Sequence, residues 1–256
     1  MVFVLGTAAI IACCAYASRC SRGGRPSESP GVVKTPQDPC VPVPRLDYGW
    51  LEHFAMNRQR ISESGGEIDI VFMGDSLTHY WDVGEGPDSS TEIEDLRRTY
   101  SILNCAYGGV KTQILRWVAR NGLLDGYRAK LMQLLIGTNN SSDGTDPKDT
   151  FEAIRKIVAV IREKQPQAKV LLLNLLPRGT SESPAHRRNL EINALINSEK
   201  WDDAVIVGDI GGNFIDRKGN TIPELFDGER LHFVGETGYC LWRRAVEPVF
   251  RDVVGK

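Results

Sequence analysis

Short apolar runs alternate along the chain with longer segments in which apolar residues recur every three or four positions. The short runs are typical of buried parallel strands, and the longer spacing is typical of amphipathic helices. The runs predict strands at residues 68–73, 101–104, 131–136, 170–175 and 204–207. The helical spacing predicts helices at residues 46–62, 110–120, 147–164, 183–197 and 235–254. This alternation implies an α/β fold, in which a parallel sheet is covered by helices on both faces.

A separate apolar stretch at residues 2–17 precedes this pattern, and it is short for a membrane span of ~20 residues. Ala15-Tyr16-Ala17 matches the small-residue cleavage pattern of a signal peptide. Arginines follow the stretch and none precedes it, which favours an uncleaved anchor with a cytoplasmic basic flank. Residues 1–17 are therefore predicted to be a signal peptide or an N-terminal membrane anchor. The protein would then be secreted or attached to a membrane, with the cytoplasmic face as one option.

Residues 18–44 are rich in Pro, Gly and Ser, a composition typical of a linker that packs little. The folded domain is predicted to span residues 45–256. The net charge is −2 and no basic stripe follows any helix, which argues against nucleic-acid binding. The six cysteines lack zinc-site spacing, so no metal site is predicted.

The tetrapeptide Gly74-Asp75-Ser76-Leu77 carries the first sign of chemistry, because it directly follows the first predicted strand. Ligands of open α/β sheets bind at the carboxyl ends of the strands. A serine hydroxyl at this place can attack a carbonyl carbon, but it needs a base and an acid from elsewhere in the chain. The turn lacks the GxGxxG pattern that cradles phosphates, which argues against a nucleotide-binding site.

Three further polar segments are predicted to meet this serine at the same edge of the sheet: residues 104–109, 137–140 and 227–232. They supply a histidine, His232, that can take the serine proton and return it to a leaving alcohol. They also supply donors for a developing oxyanion, namely the Gly109 N–H and the Asn139 amide, together with the N–H of Ser76. Each segment alone is typical of an ordinary polar turn, but the four together in this order indicate acyl transfer.

At these residues the chain resembles the GDSL, or SGNH, hydrolase superfamily, whose name lists the residues that match Ser76, Gly109, Asn139 and His232. The likeness extends over about residues 67–250. It is most specific to the platelet-activating-factor acetylhydrolase catalytic subunits, because it includes Gln165-Pro166-Gln167-Ala168-Lys169 and Leu175-Leu176-Pro177-Arg178-Gly179.

The resemblance implies a flavodoxin-like three-layer α/β/α sandwich with a five-stranded parallel sheet and a serine esterase that needs no cofactor. It also implies a small acyl pocket formed by Leu77, Thr138 and Leu231, with room for an acetyl group. The expected partner is a small-molecule ester, either an acetylated phospholipid or an O-acetylated carbohydrate. A homodimer is a further expectation from the resemblance.

The chain also departs from the family pattern. Val110 follows the Gly-Gly pair where the family usually has an acid, and Ala106 replaces a usual glycine. The family places its acid three residues before the histidine, where this chain has Glu229, whereas Asp227 lies five residues before His232. Asp227 is the first choice for the acid and Glu229 is the alternative. These departures also leave open a catalytically impaired binding or scaffold subunit.

Overall fold

The computed structural model describes residues 38–82 and 91–256. Its five strands are β1 (Glu67–Gly74), β2 (Ile102–Asn104), β3 (Arg128–Leu135), β4 (Lys169–Leu173) and β5 (Val205–Gly208). Its helices are α1 (Tyr48–Glu63), α2 (Ser76–His79), α3 (Glu92–Arg97), α4 (Thr112–Val118), α5 (Thr138–Ser142), α6 (Pro147–Lys164), α7 (Pro184–Ser198) and α8 (Glu236–Val254). A π-turn at Ala119–Leu123 extends α4, and two short 3-10 turns lie at Gly211–Phe214 and Pro223–Leu225.

The five strands form one sheet in the order β2-β1-β3-β4-β5, and every neighbouring pair is parallel. The residues of β1 beyond Glu67 are buried because helices cover both faces of the sheet. Phe72 faces the apolar cluster that contains α3 and α8, whereas Val71 faces the cluster that contains α1, α4, α6 and α7. The predicted flavodoxin-like three-layer α/β/α sandwich with a five-stranded parallel sheet is thereby confirmed.

Local sequence signals account for the starts of α1 and α6. Asp146 caps α6 by accepting a hydrogen bond from the Lys148 N–H at 2.8 Å, and Pro147 occupies the first helical position. Asp47 caps α1 by accepting from the Trp50 N–H at 3.2 Å. The apolar residues of α6, predicted to form one face, are buried against the sheet at Ile154, Ile157 and Ile161.

The segment at residues 38–44, which the sequence assigns to the linker, contacts the domain in the structure. The backbone N–H of Val43 donates to the Gln113 carbonyl at 3.3 Å, and the Thr112 hydroxyl donates to the Pro39 carbonyl at 3.3 Å. The Arg116 guanidinium donates to the carbonyl of Cys40. Composition alone indicated a free linker, but α4 supplies hydrogen-bond partners for its backbone.

The predicted signal peptide or anchor at residues 1–17 lies outside the described residues, as do residues 18–37 of the predicted linker. Within residues 38–82 and 91–256, no helix has both the length and the apolar character that a membrane crossing requires.

Candidate active site

Ser76 is the first residue of α2 and directly follows the turn at the end of β1. The turn is tight at Gly74, where a Cβ atom would lie 2.4 Å from the Leu135 carbonyl oxygen, so only glycine fits. Asp75 caps α2 because its Oδ1 accepts a hydrogen bond from the Leu77 N–H at 3.1 Å. Glycine and aspartate therefore hold the serine at the carboxyl edge of the sheet, where its side chain is buried apart from a small exposed area.

His232 lies in contact with Ser76 although 156 positions separate them in the chain. The distance between Ser76 Oγ and His232 Nε2 is 2.8 Å. His232 lies in the loop before α8, and its ring packs against Tyr80 with 5.2 Å between ring centroids. This is the geometry in which an imidazole can accept the serine proton.

The carboxylate of Asp227 contacts the second nitrogen of that imidazole, with Asp227 Oδ2 lying 3.2 Å from His232 Nδ1. The other carboxylate oxygen accepts from the Leu231 N–H at 2.9 Å, which fixes the side chain in place. The backbone closes the same turn, because the Asp227 N–H donates to the His232 carbonyl at 2.8 Å. Arg230 completes the turn in a left-handed conformation with φ of 53°.

Glu229, the alternative acid, lies at the exposed tip of this turn, and the structure does not bring it to His232. Its carboxylate interacts electrostatically with Arg178 instead. The segment 227–232, the fourth block of the family pattern, therefore accommodates its two additional residues in the turn, so that Asp227 and His232 face each other despite their five-residue separation.

The predicted oxyanion donors lie on the two segments that follow β2 and β3. Beyond β2, the chain continues to pair with β1, because the N–H groups of Cys105 and Tyr107 donate to β1 carbonyls at 2.8 and 3.1 Å. Gly109 then adopts φ of +68°, a conformation that L-residues with side chains rarely take. Gly109 is exposed in this loop.

Asn139 lies in the first turn of α5, and its Nδ2 donates to the Val110 carbonyl at 2.8 Å. A side-chain amide carries two N–H donors, so a second one remains for an oxyanion. The contact uses the backbone of Val110 while the valine side chain is buried in the core. The departure from the family pattern at this position therefore leaves the contact with Asn139 in place.

The three side chains predicted to form the acyl pocket differ in exposure: Leu77 and Thr138 are buried and Leu231 is partly exposed. Thr138 is held by two donors to its hydroxyl oxygen, Arg178 Nη1 at 3.1 Å and Asn189 Nδ2 at 3.3 Å. Reasoning from the sequence did not assign a role to either donor. Arg178 was visible only as part of the Leu-Leu-Pro-Arg-Gly motif, and Asn189 is the last of four consecutive polar residues in α7.

Burial dominates the electrostatics of the carboxylate beside the nucleophile. Desolvation raises the pKa of Asp75 to about 7, although the Leu77 N–H and the positive charge of Arg178 favour the ionised form. Burial likewise lowers the pKa of Arg178, while the negative charges of Asp75, Glu229 and Asp227 act in the opposite direction. Arg178 is therefore the cation placed among the acidic groups of the site.

This fold, with Gly-Asp-Ser-Leu at the end of its first strand, defines the chain as a GDSL-type α/β protein. Comparison with known proteins agrees: a sequence profile of the GDSL-like lipase/acylhydrolase family matches residues 72–239. The chain belongs to this family of ester hydrolases.

Individual relatives support the assignment. The human platelet-activating factor acetylhydrolase IB subunit alpha1 is 33% identical over 185 residues, which cover 68% of this chain and 73% of the relative. The alpha2 subunit from Rattus norvegicus is 30% identical over 195 residues, covering 74% and 78%. The fold resembles that of a GDSL-like lipase from Bacteroides thetaiotaomicron with a TM-score of 0.60, at 16% identity, covering 78% and 98%.

Proposed function

We propose that the protein is a serine esterase that hydrolyses short-chain esters, with acetyl as its acyl group, through an acyl-enzyme. The observation that carries this proposal is the chain of contacts from Ser76 Oγ to His232 Nε2 at 2.8 Å and from His232 Nδ1 to Asp227 at 3.2 Å. Activation of a serine requires such a base, oriented in turn by a third group.

In the proposed mechanism, His232 takes the hydroxyl proton as Ser76 Oγ attacks the ester carbonyl. The carbonyl oxygen becomes an oxyanion, which receives hydrogen bonds from the N–H groups of Ser76 and Gly109 and from the Asn139 amide. His232 then gives its proton to the leaving alcohol, and Asp227 stabilises the imidazolium between these steps. A water activated by His232 hydrolyses the acyl-enzyme and regenerates Ser76.

The preference for a short acyl group rests on Leu77, Thr138 and Leu231. We propose that they crowd the space beside Ser76, with Thr138 fixed by Arg178 and Asn189. A misfit of one methylene typically costs only ~1–3 kcal/mol, so the preference should be graded. Hydrolysis of p-nitrophenyl acetate should therefore exceed that of the butyrate, and the palmitate should be a poor substrate. Equal rates on acetate and palmitate would contradict the small pocket.

The alcohol part of the ester substrate is the second question, and we consider two classes of it. The names of the mammalian relatives point to an acetylated phospholipid, since they are platelet-activating factor acetylhydrolase subunits. The alternative is an O-acetylated carbohydrate. Release of acetate from a short-chain phospholipid and from acetylated glycans, measured side by side with the same enzyme preparation, decides between them.

The test of an activated serine is labelling by a fluorophosphonate, followed by mass spectrometry of the labelled peptide. We expect labelling at Ser76 in the wild-type chain and none in Ser76→Ala. Circular dichroism should show that both proteins are folded. A catalytically impaired binding subunit was the alternative suggested by the altered fourth block. The contact between Asp227 and His232 supports the esterase instead. An unlabelled wild-type chain would favour the binding subunit.

Two expectations from the sequence remain predictions. The homodimer is tested by light scattering of the purified protein. Membrane attachment through residues 1–17 is tested by fractionating cells that produce the full-length chain and a variant lacking this segment.

A further inference from the structure

Asn104 is the last residue of β2 and lies at the carboxyl edge of the sheet beside the candidate site. It is buried, with 4% of its surface exposed, and the mechanism above gives it no role. All three hydrogen bonds of its side chain go to backbone groups, and these groups belong to the two segments that flank the reacting atoms.

The side-chain amide oxygen of Asn104 faces the loop that leads to Gly109. Oδ1 accepts a hydrogen bond from the Ala106 N–H at 3.1 Å. The neighbouring N–H groups, of Cys105 and Tyr107, donate to β1, so the Ala106 N–H points the other way. β2 is an edge strand, and no strand of the sheet lies beyond it to pair with this group. Because Ala106 is fully buried, its N–H depends on the Asn104 side chain.

The Asn104 amide nitrogen faces the helix that begins with Ser76. Nδ2 donates to the Thr78 carbonyl at 2.9 Å and lies 3.4 Å from the His79 carbonyl. These carbonyls lie in the last turn of α2 and also accept backbone hydrogen bonds from the Trp81 and Asp82 N–H groups at 3.3 and 3.2 Å, so the Asn104 amide is an additional donor to them. One planar amide therefore joins the helix that carries the nucleophile to the loop that carries a candidate oxyanion donor.

We propose that Asn104 is a positioning residue that fixes the Gly109 N–H relative to Ser76, an inference that rests on the esterase function proposed above. The N–H groups of Ser76 and Gly109 lie on different segments, yet both must reach one oxygen atom as it becomes charged. Stabilisation of that charge depends strongly on donor placement, and an error near 1 Å is costly. The amide plane of Asn104 sets the separation of the two segments, and it does so without touching substrate.

The chain offers a matched control in Gln165, which makes the same kind of bridge near the amino ends of the strands, on the side of the sheet away from the candidate site. It is buried, its Oε1 accepts from the Ala129 N–H at 3.0 Å, and its Nε2 donates to the Leu124 and Tyr127 carbonyls at 2.8 and 3.0 Å. Gln165 precedes β4, whereas Asn104 ends β2. Loss of either amide should destabilise the fold, but only Asn104 borders the candidate site.

The experiment compares Asn104→Asp with Gln165→Glu in the full-length chain, because each change keeps the acceptor oxygen and removes the N–H donors. The kcat and KM for p-nitrophenyl acetate are measured per active site, counted by fluorophosphonate titration so that unfolded protein does not contribute. We expect Asn104→Asp to lower kcat at least tenfold while KM changes less than threefold. Gln165→Glu should keep kcat within twofold of wild type at a similar loss of stability against urea.

Asn104→Ala and Gln165→Ala form a second pair that answers the same question if the charged variants fold poorly. An unchanged kcat in the Asn104 variants would overturn the inference, and so would an equal fall in the Gln165 variants. A wild-type chain that neither hydrolyses the ester nor labels at Ser76 would instead overturn the proposed function, and this inference with it.

Discussion

At the scale of single residues, the identity of the acid beside His232 has the largest consequence. Asp227 contacts Nδ1, whereas Glu229 lies at the exposed tip of the turn. We expect Asp227→Asn to lower kcat by about 10²–10⁴-fold, because the imidazole loses the carboxylate that orients it and stabilises its charged form. Glu229→Gln should leave kcat within about threefold of the wild-type value, since the charge of an exposed carboxylate is screened by solvent and contributes little to the site. The rates on p-nitrophenyl acetate check this, and a larger loss in Glu229→Gln would show that the conventional spacing holds in solution.

The buried carboxyl of Asp75 predicts a dependence of stability on pH. Its pKa is raised to about 7 in the folded protein, well above its ordinary value of 3.8. Between these values the folded state keeps a proton that the unfolded state releases. Stability therefore falls as the pH rises through this range and levels off above pH 7. Asp75→Asn keeps the acceptor for the Leu77 N–H but removes the titration.

Urea unfolding of wild type and Asp75→Asn between pH 5 and pH 8 measures this difference. The wild type should lose on the order of 2 kcal/mol relative to the variant over that range. A gap between the two proteins that stays constant with pH would mean that Asp75 is ionised throughout.

At the scale of elements, β3 contains one residue at odds with its surroundings. Gln133 is fully buried in the middle of the sheet, and neither polar atom of its amide has a hydrogen-bond partner among the described residues. A buried polar group without a partner costs about 1–3 kcal/mol. Gln133→Met has a similar shape without that cost, so the free energy of unfolding should rise by about 1–2 kcal/mol in urea titrations. A decrease would indicate that the amide has a buried water or another partner.

How far the elements could be predicted depended on their length. The strands form clear apolar runs and the long helices carry a clear helical period, so β1, β3 and α6 were located within a few residues. The helices α2, α3 and α5 contain four to six residues, too few to display a helical period in the sequence. The fourth strand was predicted to end two residues late, because Leu175 is apolar although both its backbone polar groups bond to the side chain of Asn193 rather than to a strand.

At the scale of the whole molecule, strand order explains why the polar segments could be predicted to meet. In a parallel sheet every strand ends at the same edge, so motifs after β1, β2 and β3 converge whatever their separation in sequence. The choice between Asp227 and Glu229 depended on a turn with a left-handed residue, which spacing alone does not encode. Arg178, Asn189 and Asn104 escaped assignment because each has a hydrogen-bond partner distant in the chain.

The packing of residues 38–44 on α4 predicts that the domain needs more of the chain than composition indicates. A chain that begins at residue 46 loses the hydrogen bonds of this segment to Thr112, Gln113 and Arg116, and also the contact between Arg45 and the Gly108 carbonyl. At about 0.5 kcal/mol for each of these four hydrogen bonds, the lower end of the usual range, the loss should be about 2 kcal/mol relative to a chain that begins at residue 38. For a domain of this size that corresponds to a fall in Tm of about 4–8 °C. Equal Tm values for the two chains, measured by calorimetry in the same buffer, would show that residues 38–44 do not stabilise the domain and belong to the linker.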